Sequence, residues 1–579
     1  MKKLMLGNEA VARGAYEAGV TVASAYPGTP STEVTENIAE YDEIYSEWAP
    51  NEKVALEVAV GASVAGARSI CTMKHVGLNV AADPLFTASY TGVNGGLVIV
   101  VADDPGLHSS QNEQDSRHYA RAAKIPMLSP SDSAECTAFV RKGFEISEQY
   151  DTPVLVRLST RISHSRGIVD TRERLDYKLQ EYEKDFQKYV MMPAMGRKRH
   201  VIVEQRMKDL KQLAEDTELN YIDYKDKKTG VISSGIAYQY AREAFPEASF
   251  LKLGLVYPFA DKLLAEFASR VEQLYVVEEL EPFFEEHLKA LGIEVIGKDR
   301  LPLTGEYSTE LIREEMRQKE TENVERTEEI PARPPVMCPG CPHRGTFFTL
   351  NKLGLTVTGD IGCYTLGALP PAEAMDTCLC MGGSVSMAHG MEKARQEMGS
   401  STVAVIGDST FAHSGITGLA DIVYNKGTST VMILDNSITG MTGHQENPVT
   451  GYTIKGEPTA KMDLVKLSQA LGIERVEVVD PFSLESLEQT VKQEVEAEEA
   501  SVIIVRRPCA LLDEVEYEGM MEVDKDSCTY CKQCMKIGCP AIVDKGDEIE
   551  INRALCVGCG LCTELCNFDA LVKAGVNNG

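Results

Sequence analysis

Short apolar runs alternate with longer amphipathic segments along most of the chain. The short runs are rich in Val, Ile and Leu, as expected of parallel strands that are buried on both faces. The runs predicted as strands are residues 96–103, 153–159, 200–204, 230–234, 274–277, 403–407, 430–436 and 501–505. Patterns typical of helices lie between them, for example at residues 261–271 and 483–496. This alternation predicts an α/β protein with doubly wound parallel sheets.

Two charged stretches divide the chain. Residues 313–335 are almost all charged and end in a proline-rich run, which predicts a helix tail followed by a solvated linker; a charged surface helix within one domain is the alternative. A second, acidic stretch covers residues 513–526. With a further break between 180 and 195, the predicted domains are residues 1–180, 195–312, 336–512 and 520–579.

Length and charge exclude several kinds of protein. The chain has 579 residues, enough for about four domains at roughly 150 residues each. Its formal net charge of -29 disfavours nucleic acids and anionic membranes as partners. Its longest apolar runs are much shorter than the roughly 20 residues of a membrane span, and its start lacks the apolar stretch of a signal peptide. We therefore expect a cytoplasmic protein.

Eight of the sixteen cysteines fall close together near the end of the chain, which indicates metal binding rather than disulfides. They form two motifs, Cys528-x2-Cys531-x2-Cys534-x4-Cys539-Pro540 and Cys556-x2-Cys559-x2-Cys562-x3-Cys566. Three thiolates at this spacing hold three corners of a cubane, and in two-cluster ferredoxins the fourth ligand comes from the other motif. The motifs therefore predict two [4Fe–4S] clusters, on Cys528, Cys531, Cys534 and Cys566, and on Cys556, Cys559, Cys562 and Cys539. The alternative is a pair of zinc sites, which usually take two CxxC pairs separated by a longer loop.

A further motif follows two predicted strands. Gly407-Asp408-Ser409 closes the first strand, and Asn436 ends the second, 28 residues after Asp408. This pattern resembles the GDG…N motif of thiamine diphosphate enzymes, with Ser409 in place of the last Gly. Residues 436–443 resemble the matching segment of 2-oxoacid:ferredoxin oxidoreductases. The resemblance implies that Mg²⁺ is held by Asp408, Asn436 and the backbone carbonyl of Ile438, oxygen ligands that suit this ion. It also implies that Gly407, Ser409 and Thr439 lie beside the cofactor.

The N-terminal region resembles the pyrimidine-binding domain of the same oxidoreductases. Glu52 precedes Gly61 by the spacing of the family's Glu-x8-Gly helix, which implies that its carboxyl group lies beside the aminopyrimidine ring of the cofactor. Glu57 is the alternative, although a solvated helix-face carboxylate is expected there. The segment 26–33 resembles the family's YPITPS turn, in which the threonine matching Thr29 hydrogen-bonds substrate. A rigid turn without such a role is the other interpretation.

The resemblance covers nearly the whole chain. The order of a pyrimidine domain, a transketolase C-terminal-like domain, a diphosphate domain and a ferredoxin domain is similar to that of the large (alpha) subunits of the indolepyruvate:ferredoxin oxidoreductase family. Segments 74–79 and 407–415 also resemble those subunits.

This resemblance implies that aryl pyruvates are oxidised with coenzyme A and ferredoxin, for example indolepyruvate to indoleacetyl-CoA and CO₂. It implies thiamine diphosphate, Mg²⁺ and iron–sulfur clusters as cofactors, and a smaller beta subunit in a heterodimer or a dimer of heterodimers. Three alternatives remain open: the same chemistry on pyruvate or another 2-oxoacid, a non-oxidative thiamine decarboxylase, and an electron-transfer subunit with degenerate thiamine domains.

The other eight cysteines form two groups. Cys338, Cys341, Cys363 and Cys509 match positions that hold a cluster beside the cofactor in related oxidoreductases, which implies a third [4Fe–4S] cluster. A zinc site with His343 and unligated thiols are the alternatives. The remaining cysteines are expected in the core: Cys71, Cys136, Cys378 and Cys380.

Three histidines fall near the inferred site, His75, His413 and His444. Any of them could move a proton or contact substrate. His413, five residues after Asp408, is the preferred catalytic candidate. For each histidine alone, a purely structural role is the alternative.

Overall fold

The computed structural model of the chain describes residues 1–317, 334–517 and 519–574. It divides into two compact units, Met1–Thr327 and Glu328–Gly579. Most of the predicted linker at 313–335 lies outside the described residues, although residues 313–317 belong to a helix. Within the described residues, none of the helices combines the length and apolar character that crossing a membrane requires.

The first unit contains thirteen strands and fourteen helices among its described residues. The strands are β1 (Lys2–Leu6), β2 (Val22–Ala25), β3 (Tyr45–Trp48), β4 (Ser69–Lys74), β5 (Leu97–Asp103), β6 (Met127–Leu128), β7 (Val154–Ser159), β8 (Arg166–Asp170), β9 (Tyr221–Asp223), β10 (Thr229–Ser233), β11 (Ser249–Lys252), β12 (Leu255–Tyr257) and β13 (Gln273–Val277). The helices are α1 (Gly7–Glu17), α2 (Thr32–Ala39), α3 (Glu52–Val64), α4 (His75–Val80), α5 (Ala82–Thr91), α6 (Arg117–Ala123), α7 (Ser133–Tyr150), α8 (Thr160–His164), α9 (Phe186–Tyr189), α10 (Pro193–Asp216), α11 (Gly235–Ala244), α12 (Asp261–Ala268), α13 (Phe283–Ala290) and α14 (Thr309–Arg317).

A seven-stranded sheet forms the centre of this unit, in the order β12-β6-β7-β5-β4-β2-β3. All residues of β4, β5 and β7 are buried, which explains why β5 is a nearly continuous apolar run rather than an alternating one. A second sheet has the order β13-β10-β11-β9, and β1 pairs with β8. Strand β12 comes from the predicted second domain, yet it pairs with β6 of the first sheet.

One predicted strand is wrong. Residues 200–204 lie inside α10, a helix of 24 residues. The buried residues of α10 recur at the spacing of a helix: Arg199, Val203, Arg206, Leu210 and Ala214. The short apolar run that suggested a strand lies in a long stretch of Lys, Arg, Glu and Gln, and its Val201 is 71% exposed. Helical periodicity over the longer window therefore overrides the local β propensity.

The second unit contains ten strands and six α-helices among its described residues. The strands are β14 (Thr356–Gly359), β15 (Thr377–Cys378), β16 (Thr402–Gly407), β17 (Thr430–Asp435), β18 (Arg475–Val479), β19 (Ser501–Arg506), β20 (Met521–Val523), β21 (Ile542–Asp544), β22 (Ile549–Ile551) and β23 (Leu571–Lys573). The helices are α15 (His343–Leu353), α16 (Gly383–Ala394), α17 (Asp408–Thr410), α18 (Ile416–Tyr424), α19 (Leu464–Ala470) and α20 (Leu484–Val495).

Its main sheet is entirely parallel, in the order β15-β14-β16-β17-β19-β18. Successive residues of β16 enter different cores, with Val403 and Val405 on one face and Ala404 and Ile406 on the other. Both faces are therefore covered, as the predicted doubly wound α/β class requires. Near the chain's end, two antiparallel strand pairs and two 3₁₀ helices form a small α+β region. The predicted fold class is confirmed.

Candidate functional site

Four neighbouring parallel strands of the second unit bring predicted site residues to one edge of the sheet. Strands β14, β16, β17 and β19 lie side by side, and residues of interest follow their carboxyl ends: Cys363, Asp408, Asn436 and Cys509. In open α/β sheets, ligands bind in the crevice outside the carboxyl ends of the strands. The topology thus gathers at one place residues that are up to 146 positions apart in the sequence.

Asp408 is buried at the end of β16. Its Oδ1 accepts a hydrogen bond of 2.7 Å from the backbone N–H of Ser409. Its Oδ2 is buried and has no hydrogen-bond partner among the described residues. Burial, with a smaller effect of the nearby Asp435 carboxylate, raises the pKa of Asp408 to about 8. A buried carboxylate oxygen without a partner is what a bound Mg²⁺ ion would satisfy, so the residue fits the predicted ligand.

The second predicted ligand, Asn436, follows β17 and is also buried. Its backbone carbonyl accepts a hydrogen bond of 2.9 Å from the N–H of Cys509. Ile438, whose carbonyl is the third predicted ligand, is 5% exposed. Thr439 closes the loop, since its N–H donates to the Gln445 carbonyl at 3.0 Å. The loop that carries these oxygens is therefore held from both sides, by a neighbouring strand end and by its own backbone.

The segment after Asp408 is a continuous helical stretch with one wide turn. Gly407 has no room for a side chain, because a Cβ there would lie 2.7 Å from the Tyr364 ring. Residues Phe411–Gly415 form a π-helical turn, a feature frequent at functional sites. His413 lies in this turn; it is buried, and its Nδ1 is 2.6 Å from the Ser414 hydroxyl. Its role in catalysis stays a prediction.

Asp360, after β14, is a residue that sequence reasoning missed. Its carboxylate accepts hydrogen bonds of 3.0 Å from the backbone N–H groups of Gly382 and Ser384, so it fixes the start of α16 at the same edge of the sheet. Burial raises its pKa to about 6. Gly359-Asp360 repeats the Gly-Asp pattern of residues 407–408 at a strand end, and this was the available signal.

The sheet-edge quartet, defined as Cys338, Cys341, Cys363 and Cys509, borders the same loops. Burial raises the pKa of Cys363 to about 11, and the thiols of Cys509 and Cys338 add to this shift. Burial raises the pKa of Cys341 to about 12, with added effects of Cys338 and Cys363. The four thiols are therefore close enough to interact electrostatically. A Cβ on Gly440 would lie 3.4 Å from the Cys363 sulfur, so the quartet borders the 436–443 segment.

His343, the alternative zinc ligand, begins α15 beside this quartet. It is buried, and burial lowers its pKa to about 4, so its imidazole is neutral. Its ring packs edge-on against Tyr364, with centroids 5.8 Å apart. These contacts give it a packing role in the core.

The eight C-terminal cysteines surround two cavities. The first ferredoxin quartet is Cys528, Cys531, Cys534 and Cys566, and these cysteines line one cavity. The second ferredoxin quartet is Cys539, Cys556, Cys559 and Cys562, and these cysteines line the other cavity. The motif spacing predicts the same two groupings. In the described residues, no three His, Cys, Asp or Glu side chains converge as on a single metal ion.

Backbone N–H groups point at two of these sulfurs. The Met521 N–H donates to the Cys556 sulfur and the Ala570 N–H to the Cys566 sulfur, each at 3.4 Å. Hydrogen bonds to the sulfurs are one of the ways in which proteins set the reduction potential of a cluster. The residues present therefore fit two iron–sulfur clusters.

The four cysteines expected in the core do not share one environment. Cys71 and Cys136 are fully buried, which confirms the prediction for them. Cys378 and Cys380 are exposed, so the prediction is wrong there. Cys378 ends the two-residue strand β15, which pairs only with β14 at the edge of the sheet, and Cys380 lies in the following loop. An edge position leaves one side of the backbone without a covering strand.

Glu52 lies at the start of α3 in the first unit. It is buried, whereas Glu57 is exposed and pairs with Lys53 on the same helix. Gly77 of α4 packs directly on the Glu52 carboxylate, since a Cβ there would lie 2.5 Å from Glu52 Oε1. The two candidates for the carboxyl group beside the cofactor therefore differ in environment: Glu52 is enclosed by protein and Glu57 is exposed to solvent.

Thr29 lies in a turn that is held by two neighbouring elements. Its carbonyl accepts a hydrogen bond of 3.0 Å from the Ser109 hydroxyl. The Ser109 carbonyl in turn accepts a hydrogen bond of 2.8 Å from Nζ of Lys74, whose methylene groups pack on Gly28. Lys74 is buried, and burial lowers its pKa to about 8 although Asp104 and Glu52 oppose the shift. Sequence reasoning noted the 74–79 segment but missed this buried cation beside Thr29.

The other two histidines have different surroundings. His75 is buried in the first unit, with Nε2 3.2 Å from the Asn112 carbonyl, and burial lowers its pKa. His444 is exposed in the second unit, and its Nε2 lies 3.9 Å from the Cys509 sulfur. Each unit thus contains one of them.

Comparison with known proteins identifies the family. The chain is 38% identical to the indolepyruvate oxidoreductase subunit IorA of Archaeoglobus fulgidus, over 100% of this chain and 98% of that protein. It is 40% identical to the subunit of the same name from Methanothermobacter thermautotrophicus, over 99% of this chain and 98% of that protein. The chain belongs to the indolepyruvate oxidoreductase subunit IorA family.

Two family models match parts of this IorA family member. Residues 13–224 match "Pyruvate flavodoxin/ferredoxin oxidoreductase, thiamine diP-bdg", and residues 360–505 match "Thiamine pyrophosphate enzyme, C-terminal TPP binding domain". A solved 2-oxoglutarate:ferredoxin oxidoreductase from Magnetococcus marinus is 18% identical, with a TM-score of 0.47 over 55% of this chain and 65% of that one. The two family models and the IorA relatives confirm the predicted oxidoreductase family and its thiamine diphosphate-binding domains.

Proposed function

We propose that this chain is the large (alpha) subunit of an indolepyruvate:ferredoxin oxidoreductase. The reaction converts an aryl pyruvate, coenzyme A and oxidised ferredoxin into an aryl acetyl-CoA, CO₂ and reduced ferredoxin. The observation that carries the proposal is that Asp408, Asn436, Cys363 and Cys509 lie at the same edge of one sheet. The same chain also has two cavities that are each lined by four cysteines. The choice of substrate rests on the printed names of the IorA relatives.

The chain's own residues would hold the cofactor in the following way. Asp408 Oδ2, the Asn436 amide oxygen and the Ile438 carbonyl are the proposed ligands of Mg²⁺, and Gly407, Ser409 and Thr439 border the diphosphate. When bound, thiamine diphosphate supplies a carbon nucleophile and an electron sink for decarboxylation. Glu52 provides an enclosed carboxyl group for the aminopyrimidine ring, and Gly77 keeps it in position.

Thr29 and His413 are the proposed substrate contacts of the chain. Thr29 would orient the 2-oxoacid by a hydrogen bond, and the Lys74 cation behind it suits a carboxylate. His413 is the proposed proton carrier, with the Ser414 hydroxyl holding its Nδ1 side. A smaller beta subunit completes the enzyme in this proposal, as a heterodimer or a dimer of heterodimers.

Three clusters carry the electrons in this proposal. The sheet-edge quartet would hold a [4Fe–4S] cluster next to the cofactor loops, and the two ferredoxin quartets would pass single electrons to external ferredoxin. Iron analysis of anaerobically prepared protein tests the count, because each cluster holds four irons. About twelve irons per chain support the third cluster, whereas about eight exclude it and leave the zinc and free-thiol alternatives.

Substrate-dependent dye reduction by the two-subunit enzyme tests the activity. We expect indolepyruvate and phenylpyruvate to reduce a viologen dye faster than pyruvate or 2-oxoglutarate does, in the presence of coenzyme A. Asp408→Ala should abolish this reduction while the absorbance of the clusters remains. Asp421→Ala, which removes an exposed carboxylate of α18, is the matched control and should stay active. A clear preference for pyruvate would overturn the aryl assignment, and no reduction by any 2-oxoacid would support a non-oxidative or purely electron-transferring role.

A further inference from the structure

Arg344 is a buried arginine whose hydrogen bonds join two cysteine loops. It lies in the first turn of α15 and is only 6% exposed. On one side, Nε donates to the Cys338 carbonyl at 3.0 Å and Nη2 donates to the Met337 carbonyl. On the other side, Nη1 donates to the carbonyls of Ile537 at 3.2 Å and Gly538 at 2.5 Å. All four partners are therefore neutral backbone groups.

The two loops belong to different cysteine quartets. Met337 and Cys338 begin the loop of the sheet-edge quartet, whereas Ile537 and Gly538 immediately precede Cys539 of the second ferredoxin quartet. The cavity of the second ferredoxin quartet is also lined by Pro339, Gly340 and Arg344. A Cβ on Gly340 would lie 3.7 Å from the Cys559 Cβ, so the loops are in contact. One guanidinium thus lies in the wall between the two sites.

Within the part of the chain that the structure describes, the charge of Arg344 has no carboxylate partner. A guanidinium stays protonated in proteins, and its hydrogen bonds here end on carbonyl oxygens. Burial lowers its pKa, and the anionic forms of Cys539, Cys341, Cys338 and Cys559 are the groups that oppose this shift. Bound clusters would place their negative charge where these thiols lie. Net charge and nearby hydrogen-bond donors are what set a cluster's reduction potential.

We propose that Arg344 is a positioning residue for electron transfer between the sheet-edge quartet and the second ferredoxin quartet. Its four hydrogen bonds fix the spacing of the two loops, and its charge favours the reduced state of the cluster in the second ferredoxin quartet. In the step concerned, the sheet-edge cluster loses one electron and is oxidised, and the second ferredoxin cluster gains that electron and is reduced. This step rests on the third cluster of the proposed function.

Redox titration followed by electron paramagnetic resonance tests the charge in the anaerobic two-subunit enzyme. At the potential where the second ferredoxin cluster of the parent is half reduced, Arg344→Gln should lower the ratio of reduced to oxidised cluster at least tenfold. A tenfold change equals about 59 mV for a one-electron couple. Lys352→Gln removes an exposed charge farther along α15 and should change the ratio less than twofold. Arg344→Lys keeps the charge and should stay within threefold of the parent.

The outcomes separate this proposal from the third cluster. If the parent contains about eight irons, the third cluster is excluded, yet the potential of the second ferredoxin cluster still tests the charge of Arg344. An unchanged ratio in Arg344→Gln with its full iron content overturns the proposal. If Arg344→Gln loses iron, the Arg344→Lys variant decides between charge and packing. Full iron content and the parent's ratio of reduced to oxidised cluster in Arg344→Lys support a role for the charge. Iron loss in both variants overturns the proposal, because Arg344 is then needed only for packing of the two loops.

Discussion

Replacing Lys74 by Met should stabilise the protein while harming its function. Lys74 ends β4 with a buried ammonium group, and its pKa falls from 10.5 to about 8 because burial disfavours the charge. At 1.36 kcal/mol per pKa unit, keeping this lysine protonated at pH 7 costs about 3 kcal/mol. Met retains the apolar stem on Gly28 but loses the hydrogen bond to the Ser109 carbonyl, worth about 1 kcal/mol. The expected net gain is about 2 kcal/mol.

The gain should depend on pH in a defined direction. Between pH 8 and 10.5 the folded lysine has lost its proton whereas the unfolded lysine still holds one, so the parent becomes more stable as pH rises. The variant lacks this titration. Its advantage should therefore be largest below pH 8 and about 2 kcal/mol smaller at pH 9.5 than at pH 7.

The single tryptophan of the chain provides the assay. Trp48 ends β3, which pairs with β2, and β2 pairs with β4, so its fluorescence in urea reports the sheet that contains Lys74. Lys53→Met removes an exposed lysine of the same unit and should change stability by less than about 0.5 kcal/mol. A Lys74→Met protein that is less stable than the parent at pH 7, or an advantage that does not shrink by pH 9.5, would refute the reasoning. Reduced oxidation of 2-oxoacids by the variant would show that the cation serves the activity at a cost in stability.

Two other predictions follow from close contacts. Gly77→Ala should lower the rate of 2-oxoacid oxidation at least tenfold in a folded protein, because its Cβ would displace the Glu52 carboxylate. Gly196→Ala, in α10 of the same unit, meets nothing within 4 Å and should be neutral in turnover assays. Cys559→Ser should remove about four irons per chain in iron analysis, and Cys378→Ser, which changes an exposed thiol at a sheet edge, should remove none. Equal rates for the two alanine variants, or equal iron in the two serine variants, would contradict these expectations.

Local spacing predicted the residues of the candidate site better than it predicted their surroundings. The two ferredoxin quartets follow from cysteine motifs within 39 residues, and the cavities group the same cysteines. Asp408 and Asn436 follow from strand ends that a parallel sheet places side by side. In the first case the spacing within a short segment groups the residues, and in the second the regular geometry of paired parallel strands does so.

Features that depend on packing between distant segments were not visible in the sequence. The side chain of Arg344 is held by hydrogen bonds to carbonyl groups up to 194 residues away in the sequence, and that of Lys74 by a hydrogen bond to a serine carbonyl 35 residues away. Residues 200–204 of α10 resemble a strand because a run of three apolar residues is ambiguous until the whole helical window is considered. Cys378 was expected in the core because no local signal marks a strand as an edge strand.

Three of the functional candidates share a physical property. Among the described residues, Oδ2 of Asp408 is a buried oxygen without a hydrogen-bond partner, Lys74 is a buried cation, and Arg344 is a buried cation whose hydrogen bonds end on carbonyl groups. Each arrangement costs folding free energy, because a polar or charged group is removed from water and its neighbours do not fully replace the lost hydration. Stability alone would replace them with neutral side chains. Their presence is explained if a metal ion, a carboxylate substrate and an anionic cluster, respectively, supply the missing partner in the working enzyme.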